Sequence, residues 1–396
     1  MESSRKTYSS IDQILSALAE FQRVAEEMRE IVLANLVMIG EIPAPTFEEE
    51  RRIEFLCNRF NECELQNPST DEIGNGLGIL PGCGEEEKNI LVVAHADTVY
   101  GSEVNHTLTV HADRIAGPGV GDNSLGLAVL ATLPTLLQRL DIRLESNLFL
   151  MGAVQSLGRG NLAGLHFFLE NSQKPFRAGI CVEGFQLGRL SCASIGMLRG
   201  EFTCRVPEET DWTRFGAAGA IIIMNDVINR LTSIPMPRQP MTSIVLGMIE
   251  GGKSYNTIAR HARLRFEVRS ESVEMVETIR QEIERIVAEV AYTREAELSF
   301  ARVAQRTPGG IDSTHPLVTQ TRRILNVLDI PPRISPSTSE LSAFLDQNIP
   351  AVTLGITQGE RASESEESIL IEPISRGLAQ ILGLLLAIDG GYCDGN

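Results

Sequence analysis

Closely spaced cysteine pairs are absent. The seven cysteines lie scattered from Cys57 to Cys393 with no CxxC among them, which excludes a disulfide framework and a zinc knuckle and fits a reducing, cytoplasmic setting. Positive charge is scarce: 35 Lys and Arg stand against 52 Asp and Glu, for a formal charge of -17. Such a surface repels phosphate backbones and anionic lipid, so no nucleic acid and no membrane is expected as the main partner, and small ligands or proteins are favoured. No bilayer-length apolar run stands out either. The greasiest stretch, Gly377 to Ile388, is too short, and the opening MESSRKTYSS lacks an apolar core, so a soluble, unexported protein is expected. There is no internal repeat and no low-complexity segment.

What remains is ordinary globular usage, 43% hydrophobic and 22% charged over 396 residues, a length that suits two domains better than one. Apolar residues recur at helical spacing over residues 11–39, and Thr46 with Glu49 reads as a capping box opening a helix through Phe60. Short apolar runs then alternate with helical patterns: Asn89 to Ala94, Ser124 to Leu140, Asn147 to Val154, Asn161 to Leu169, Ala178 to Val182. This rhythm predicts an α/β domain with a mostly parallel sheet flanked by helices. Near residue 197 the texture changes to strands at 201–206, 241–248 and 262–268 with helices at 217–231 and 273–290, an α+β insert. The first style resumes after Pro308-Gly309-Gly310. The expected division is residues 1–196 with 305–396 for the α/β domain and 197–304 for the insert.

Ligands of an open parallel sheet gather beyond the carboxyl ends of its strands. There stand His95 and Asp97, whose spacing puts both side chains on one side of an extended backbone, and an imidazole beside a carboxylate is how a metal-binding tautomer is fixed. Alone, the pair reads rather as a structural histidine hydrogen-bonded to a nearby aspartate. Asp122 follows GPGVG at the head of a long apolar helix and alone is an N-cap. Glu183 closes the strand AGICV and alone is a solvated carboxylate. Together, one histidine and two carboxylates at successive element ends make a candidate site for a divalent metal.

HADTV at 95–99, GPGVGDNSLGLAVL at 117–130, GRGNLAG at 158–164, VEGFQLGRL at 182–190, IGMLRG at 195–200 and GGKSYNTIA at 251–259 resemble, in order, the motifs of the co-catalytic zinc metallopeptidases of the aminoacylase, glutamate carboxypeptidase and peptidase T kind. The resemblance implies a zinc-peptidase-like domain carrying an inserted ferredoxin-like lid that also dimerises, with Ala217 to Leu231 as the dimer helix. It makes His95 and Glu183 ligands of one zinc, Asp122 the bridge to a second, and Asp97 the partner that orients His95. Asn256 and Arg269 match the substrate-gripping pair, and a guanidinium holds a carboxylate in a bidentate fork; each reads equally as a turn asparagine and a strand-face arginine. Ser337 and Thr338 resemble a stretch that lies near the substrate, with Ser339 where an aspartate is usual.

Other positions depart from the pattern. Ser156 stands where the general base belongs, Leu157 where the second zinc has its carboxylate, and Thr210 where a histidine reaches the partner's active site. Ala362 or Ser363 takes the place of the last histidine, and no histidine follows His315. A positioned general base contributes about 10²- to 10⁴-fold in rate, and a second ion left with one bridging oxygen falls short of the usual four ligands. The expectation is a degenerate member, a pseudoenzyme-like protein with one zinc or manganese and no second metal, binding small peptides or N-acyl amino acids as a homodimer through the lid. A surviving mononuclear peptidase or deacylase, using Glu208, Glu209 or a metal-bound hydroxide without a dedicated base, is the alternative, and a non-enzymatic binding or regulatory dimer a further one.

Overall fold

The segment Asn89–His95 is buried at every position, as a strand must be when both faces of its sheet are covered. Ile90, Val92 and Ala94 enter one hydrophobic core, Leu91 and Val93 the other. It lies inside an eight-stranded sheet with the spatial order Gln66–Thr70, Gly76–Leu80, Asn147–Ala153, Asn89–His95, Ala178–Leu187, Ala351–Gly355, Arg189–Ser191, Arg333–Ile334. The pairings on either side of Asn89–His95, and that between Ala178–Leu187 and Ala351–Gly355, are parallel. Gly76–Leu80 pairs antiparallel with both of its neighbours, and Arg189–Ser191 pairs antiparallel with Ala351–Gly355. The sheet is therefore mixed, with a parallel centre.

The computed structural model describes residues 6–84, 88–208, 210, 213, 218–294, 296–360 and 366–395. It divides into two compact units, Met1–Ser194 with Gly310–Asn396, and Ile195–Gly309. In the first unit the N-terminal helical region is two helices, Ile11–Glu27 and Arg29–Gly40. The first is capped by Ser10, whose side chain accepts from the Gln13 N–H, and buries Ile14, Leu18, Phe21, Val24 and Ala25 along one stripe. Helices Leu125–Arg139 and Ile374–Asp389 are apolar nearly all round and fill the same core. The segment Val120–Arg139 has a mean hydropathy of 1.3, enough by length and composition to cross a bilayer, yet its apolar window is 89% buried. It is a core helix.

The second unit runs strand Gly196–Arg205, helix Ala220–Thr232, strands Thr242–Gly251 and His261–Ser270, helix Val273–Arg294, strand Glu297–Arg306. All its pairings are antiparallel, in the order Thr242–Gly251, His261–Ser270, Gly196–Arg205, Glu297–Arg306. This is the ferredoxin-like arrangement. Period-two alternation in HARLRFEVRS sends Ala262, Leu264, Phe266 and Val268 toward the helices, where Phe202 stacks on Phe266 at 4.8 Å between ring centroids. Its opposite face is an ionic lattice: Arg199 and Arg269 both pair with Glu267, and Arg263 and Arg265 with Glu201.

One buried side chain ties the helical layer to the end of the central strand. The Arg52 guanidinium, 1% exposed, donates to the carbonyls of Gly40, Ile42 and Ala96, and burial draws its pKa down to about 10. Arg52→Met should cost roughly 3 kcal/mol in urea denaturation, because the carbonyls lose their donors; a loss below about 1 kcal/mol would show that water takes its place.

Candidate metal site

The central strand ends on His95, which continues the face of Leu91 and Val93, and the chain turns at once to Asp97. The imidazole Nδ1 lies 3.0 Å from the Asp97 carbonyl oxygen and 3.4 Å from its Oδ1. Nε2, on the opposite side of the ring, lies 3.0 Å from Asp122 Oδ1. Asp97 is fully buried; its Oδ2 accepts from the Thr46 hydroxyl and from the Leu157 N–H, both at 2.8 Å. Thr46 and Glu49 therefore do not form the capping box that their spacing suggests. The helix starts at Glu50 without a side-chain cap, and Glu49 Oε1 accepts instead from the Gln155 N–H at 2.8 Å. A buried carboxylate needs these donors more than an exposed helix end does.

Asp122 is set by close backbone packing. Gly117 and Gly119 have φ of +148° and +68°, a region that only glycine enters without strain. The Glu367 carboxylate then accepts from the Gly121 and Asp122 N–H groups at 2.6 and 3.0 Å. The capping role expected of Asp122 falls to its neighbour: Asn123 Oδ1 accepts from Gly126 and Gly184, and its Nδ2 donates to the Val182 carbonyl. The Asp122–Asn123 peptide bond is cis. A Cβ on Gly184 would lie 2.2 Å from the Gly121 carbonyl oxygen, so glycine at 184 is what lets the two backbones meet and brings Asp122 and Glu183 together.

Glu183 does not close its strand as the sequence suggests. The strand runs on to Leu187, with an irregularity in its pairing to Ala351–Gly355 just beyond Val182. Glu183 Oε1 stands 3.9 Å from Arg189 Nη1, whose guanidinium also donates to Ser191 and Ser337. One ligand-type atom from each of His95, Asp122 and Glu183 lies within 4.8 Å of the others. The donor set, one imidazole nitrogen and two carboxylate oxygens, suits zinc or manganese with positions left open. The group fits.

The charges agree with this chemistry. Burial alone would depress the His95 imidazolium, but its bonds to Asp122 and Asp97 and the charges of Glu340 and Asp122 outweigh burial and hold its pKa well above the usual value. Burial raises Glu183, against the pull of Arg189 and His95 and with the push of Glu340 and Asp122. Burial would also raise Asp97, yet its bond to His95, the His95 charge and the donors Leu157 and Thr46 bring it below the usual range.

The remaining predicted residues are placed as follows. Ser156 is 2% exposed and its hydroxyl has no hydrogen-bond partner. Leu157 touches the site through its backbone N–H alone. Thr338 lies between Ser337, which receives Arg189, and Ser339. Asn256, Arg269 and Thr210 belong to the second unit. There Asn256 Oδ1 accepts from Ser254 Oγ in an exposed turn, Arg269 is paired with Glu267, and Thr210 is buried with its N–H on the Pro207 carbonyl. Glu208 is exposed, whereas Glu209, Ala362 and Ser363 lie outside the described residues. Sequence reasoning missed Thr46, Glu49, Arg189, Glu340 and Glu367. Of these, only Arg189 sat inside a quoted motif.

A cation at this site must displace the proton that His95 holds. Below the raised His95 pKa the apparent zinc affinity of the protein should climb by about tenfold per pH unit, and it should level off above it. In the metal-free protein the sign is opposite: stability contributed by the raised imidazolium is full below its unfolded pKa and is lost as pH rises through the folded one. Competition titrations with a zinc chelator across that range check the first slope, and a pH-independent affinity would remove His95 from the ligand set.

Residues 214–295 match the model for the peptidase dimerisation domain of the M20 peptidases. No curated protein matches the chain by sequence. Among solved structures it is similar to aminopeptidase PepT from Bacillus cereus, at 16% identity over 91% of this chain and 98% of that one with a TM-score of 0.70. It is similar also to the dipeptidase Dug1p from Saccharomyces cerevisiae, at 12% identity over 94% and 98% with a TM-score of 0.77. A third is a dinuclear metal-binding M20 peptidase from Bacillus subtilis, at 14% identity over 92% and 99% with a TM-score of 0.63. The chain thus carries an M20 peptidase dimerisation domain within the fold of the M20 metallopeptidases.

Proposed function

We propose that this protein is a metallopeptidase homologue that holds one divalent cation on His95, Asp122 and Glu183 and binds small peptides or N-acyl amino acids with little or no hydrolysis. The observation behind this reading is the convergence of those three donors within 4.8 Å, while Ser156 and Leu157 bring no carboxylate to the same edge. When bound, the cation supplies Lewis-acid polarisation of a ligand carbonyl or carboxylate. The chain's own groups do the rest. Asp97 orients the His95 ring through Nδ1, Asp122 and Glu183 supply charge, and Arg189 limits the repulsion that Glu183 meets. Ser156, with a hydroxyl pKa far above neutrality, takes no proton from water at pH 7.

A mononuclear hydrolase is the second reading, favoured by the completeness of the one-metal donor set. Metal analysis of protein purified without chelator should find one ion per chain in the wild type and none in His95→Ala. With zinc or manganese and a panel of dipeptides, turnover should stay at background while peptides still raise the thermal midpoint. Turnover that disappears in His95→Ala would establish the hydrolase instead, and two ions per chain would overturn the one-metal assignment.

The dimer expected from the matched domain is assigned to the outer edge of the second unit's sheet. Among the described residues strand Thr242–Gly251 has a neighbour on one side only; Ile249, 57% exposed, pairs with the helix-facing Leu264, Ile221 on the helix, 46% exposed, meets Gly251 at the strand's end, and Ile222 is 57% exposed. An open edge with apolar side chains is a template for a second strand. Ile249→Lys should shift the protein from dimer to monomer in sedimentation velocity, and a monomeric wild type would refute the assignment.

A further inference from the structure

Behind the three donors stands a fourth carboxylate that the reading above does not use. Glu340 is 2% exposed and its Oε1 has no hydrogen-bond partner. It precedes helix Leu341–Asp346 but makes no capping bond with its side chain. Leu341 and Phe344 pack with Leu91, Val93 and Cys181, on the face of the sheet that His95 and Glu183 continue by strand alternation. The Glu340 charge is felt by His95, Glu183 and Cys181 together. A carboxylate kept dry and unpaired is costly unless something compensates it.

The neighbouring charges do not. Arg52 stands with Glu49 and Asp97, and Arg189 with Glu183. Among the described residues, Glu340 has no arginine or lysine paired with it, and the imidazole of His95 is engaged by Asp97 and Asp122. A divalent cation would offset the charge of Glu340, whose field reaches His95 and Glu183 although it is not one of the three donors within 4.8 Å.

We propose that Glu340 is a positioning residue of the cation site, adding negative charge behind the three direct donors that Leu157 does not bring. This rests on the one-metal reading above. Direct donors fix the ion's geometry, while an outer carboxylate raises affinity.

The test titrates full-length wild type, Glu340→Gln and Glu340→Asp with zinc alone and with manganese alone, by calorimetry, and records each metal-free thermal midpoint. The expected result is an affinity at least tenfold weaker in Glu340→Gln, largely restored in Glu340→Asp, with the metal-free midpoint of Glu340→Gln equal to or above that of the wild type because an unpaired buried charge is gone. Wild-type affinity in Glu340→Gln overturns the proposal and leaves the one-metal reading standing. A wild type that binds neither ion overturns both. A fall in the metal-free midpoint of both variants, in step with affinity, overturns it in favour of a purely structural carboxylate.

Discussion

The carboxyl edge of the central sheet is organised by the cost of burying like charges near one another. Several carboxylates crowd around a single imidazole, and in a poorly solvated setting each demands a donor or a counter-charge. Most receive one from the chain. Asp97 takes the Thr46 hydroxyl and the Leu157 N–H, Glu49 takes the Gln155 N–H, and Glu367 takes the N–H groups of Gly121 and Asp122. Asp122 meets His95 Nε2 and Glu183 lies near Arg189, and together with His95 they form a donor set of the kind that can hold a metal ion. The loops, the turn at Gly117–Gly119 and the close approach of Gly121 to Gly184 all follow from holding those groups in place.

That dependence explains what was legible in the sequence. The run NILVVA announced a strand because each of its apolar side chains has a core to enter. The alternation in HARLRFEVRS announced the insert's sheet because one face meets helices and the other meets charges. His95, Asp97, Asp122 and Glu183 could be singled out because each sits beside a local signal: a strand end, a glycine turn, a helix start. The signals were less exact about roles. Glycine after Glu183 suggested a strand end, whereas its use is to let the Gly121 backbone approach, and the strand continues to Leu187.

What could not be read depends on distant segments meeting. Thr46 and Glu49 have the spacing of a capping box, yet their partners come from residues 97 and 155. Asn123 takes over the cap because it can join Gly126 and Gly184 at once. Glu340 lies in a serine-rich stretch with no pattern of its own, and only the packing of Leu341 and Phe344 beneath it gives its carboxylate a place. Glu367 sits in an acidic run that reads as solvated, but its side chain is fully buried. No local periodicity separates such residues from the exposed acids beside them.

The loop from Gln155 to Leu162 is tied to the site by its backbone rather than by its side chains at 155 and 157. Its two anchors to the site, Gln155 to Glu49 and Leu157 to Asp97, are backbone N–H bonds, which any side chain except proline's leaves intact. Whatever side chains stand at 156 and 157, Asp97, and through it the His95 ring, keep the same backbone donor. Removing His95 would be different in kind, because the carboxylates around it would lose their one central counter-charge and repel one another. Substitution at 156 and 157 leaves both backbone bonds in place, whereas substitution at 95 removes the imidazole on which Asp97 and Asp122 converge.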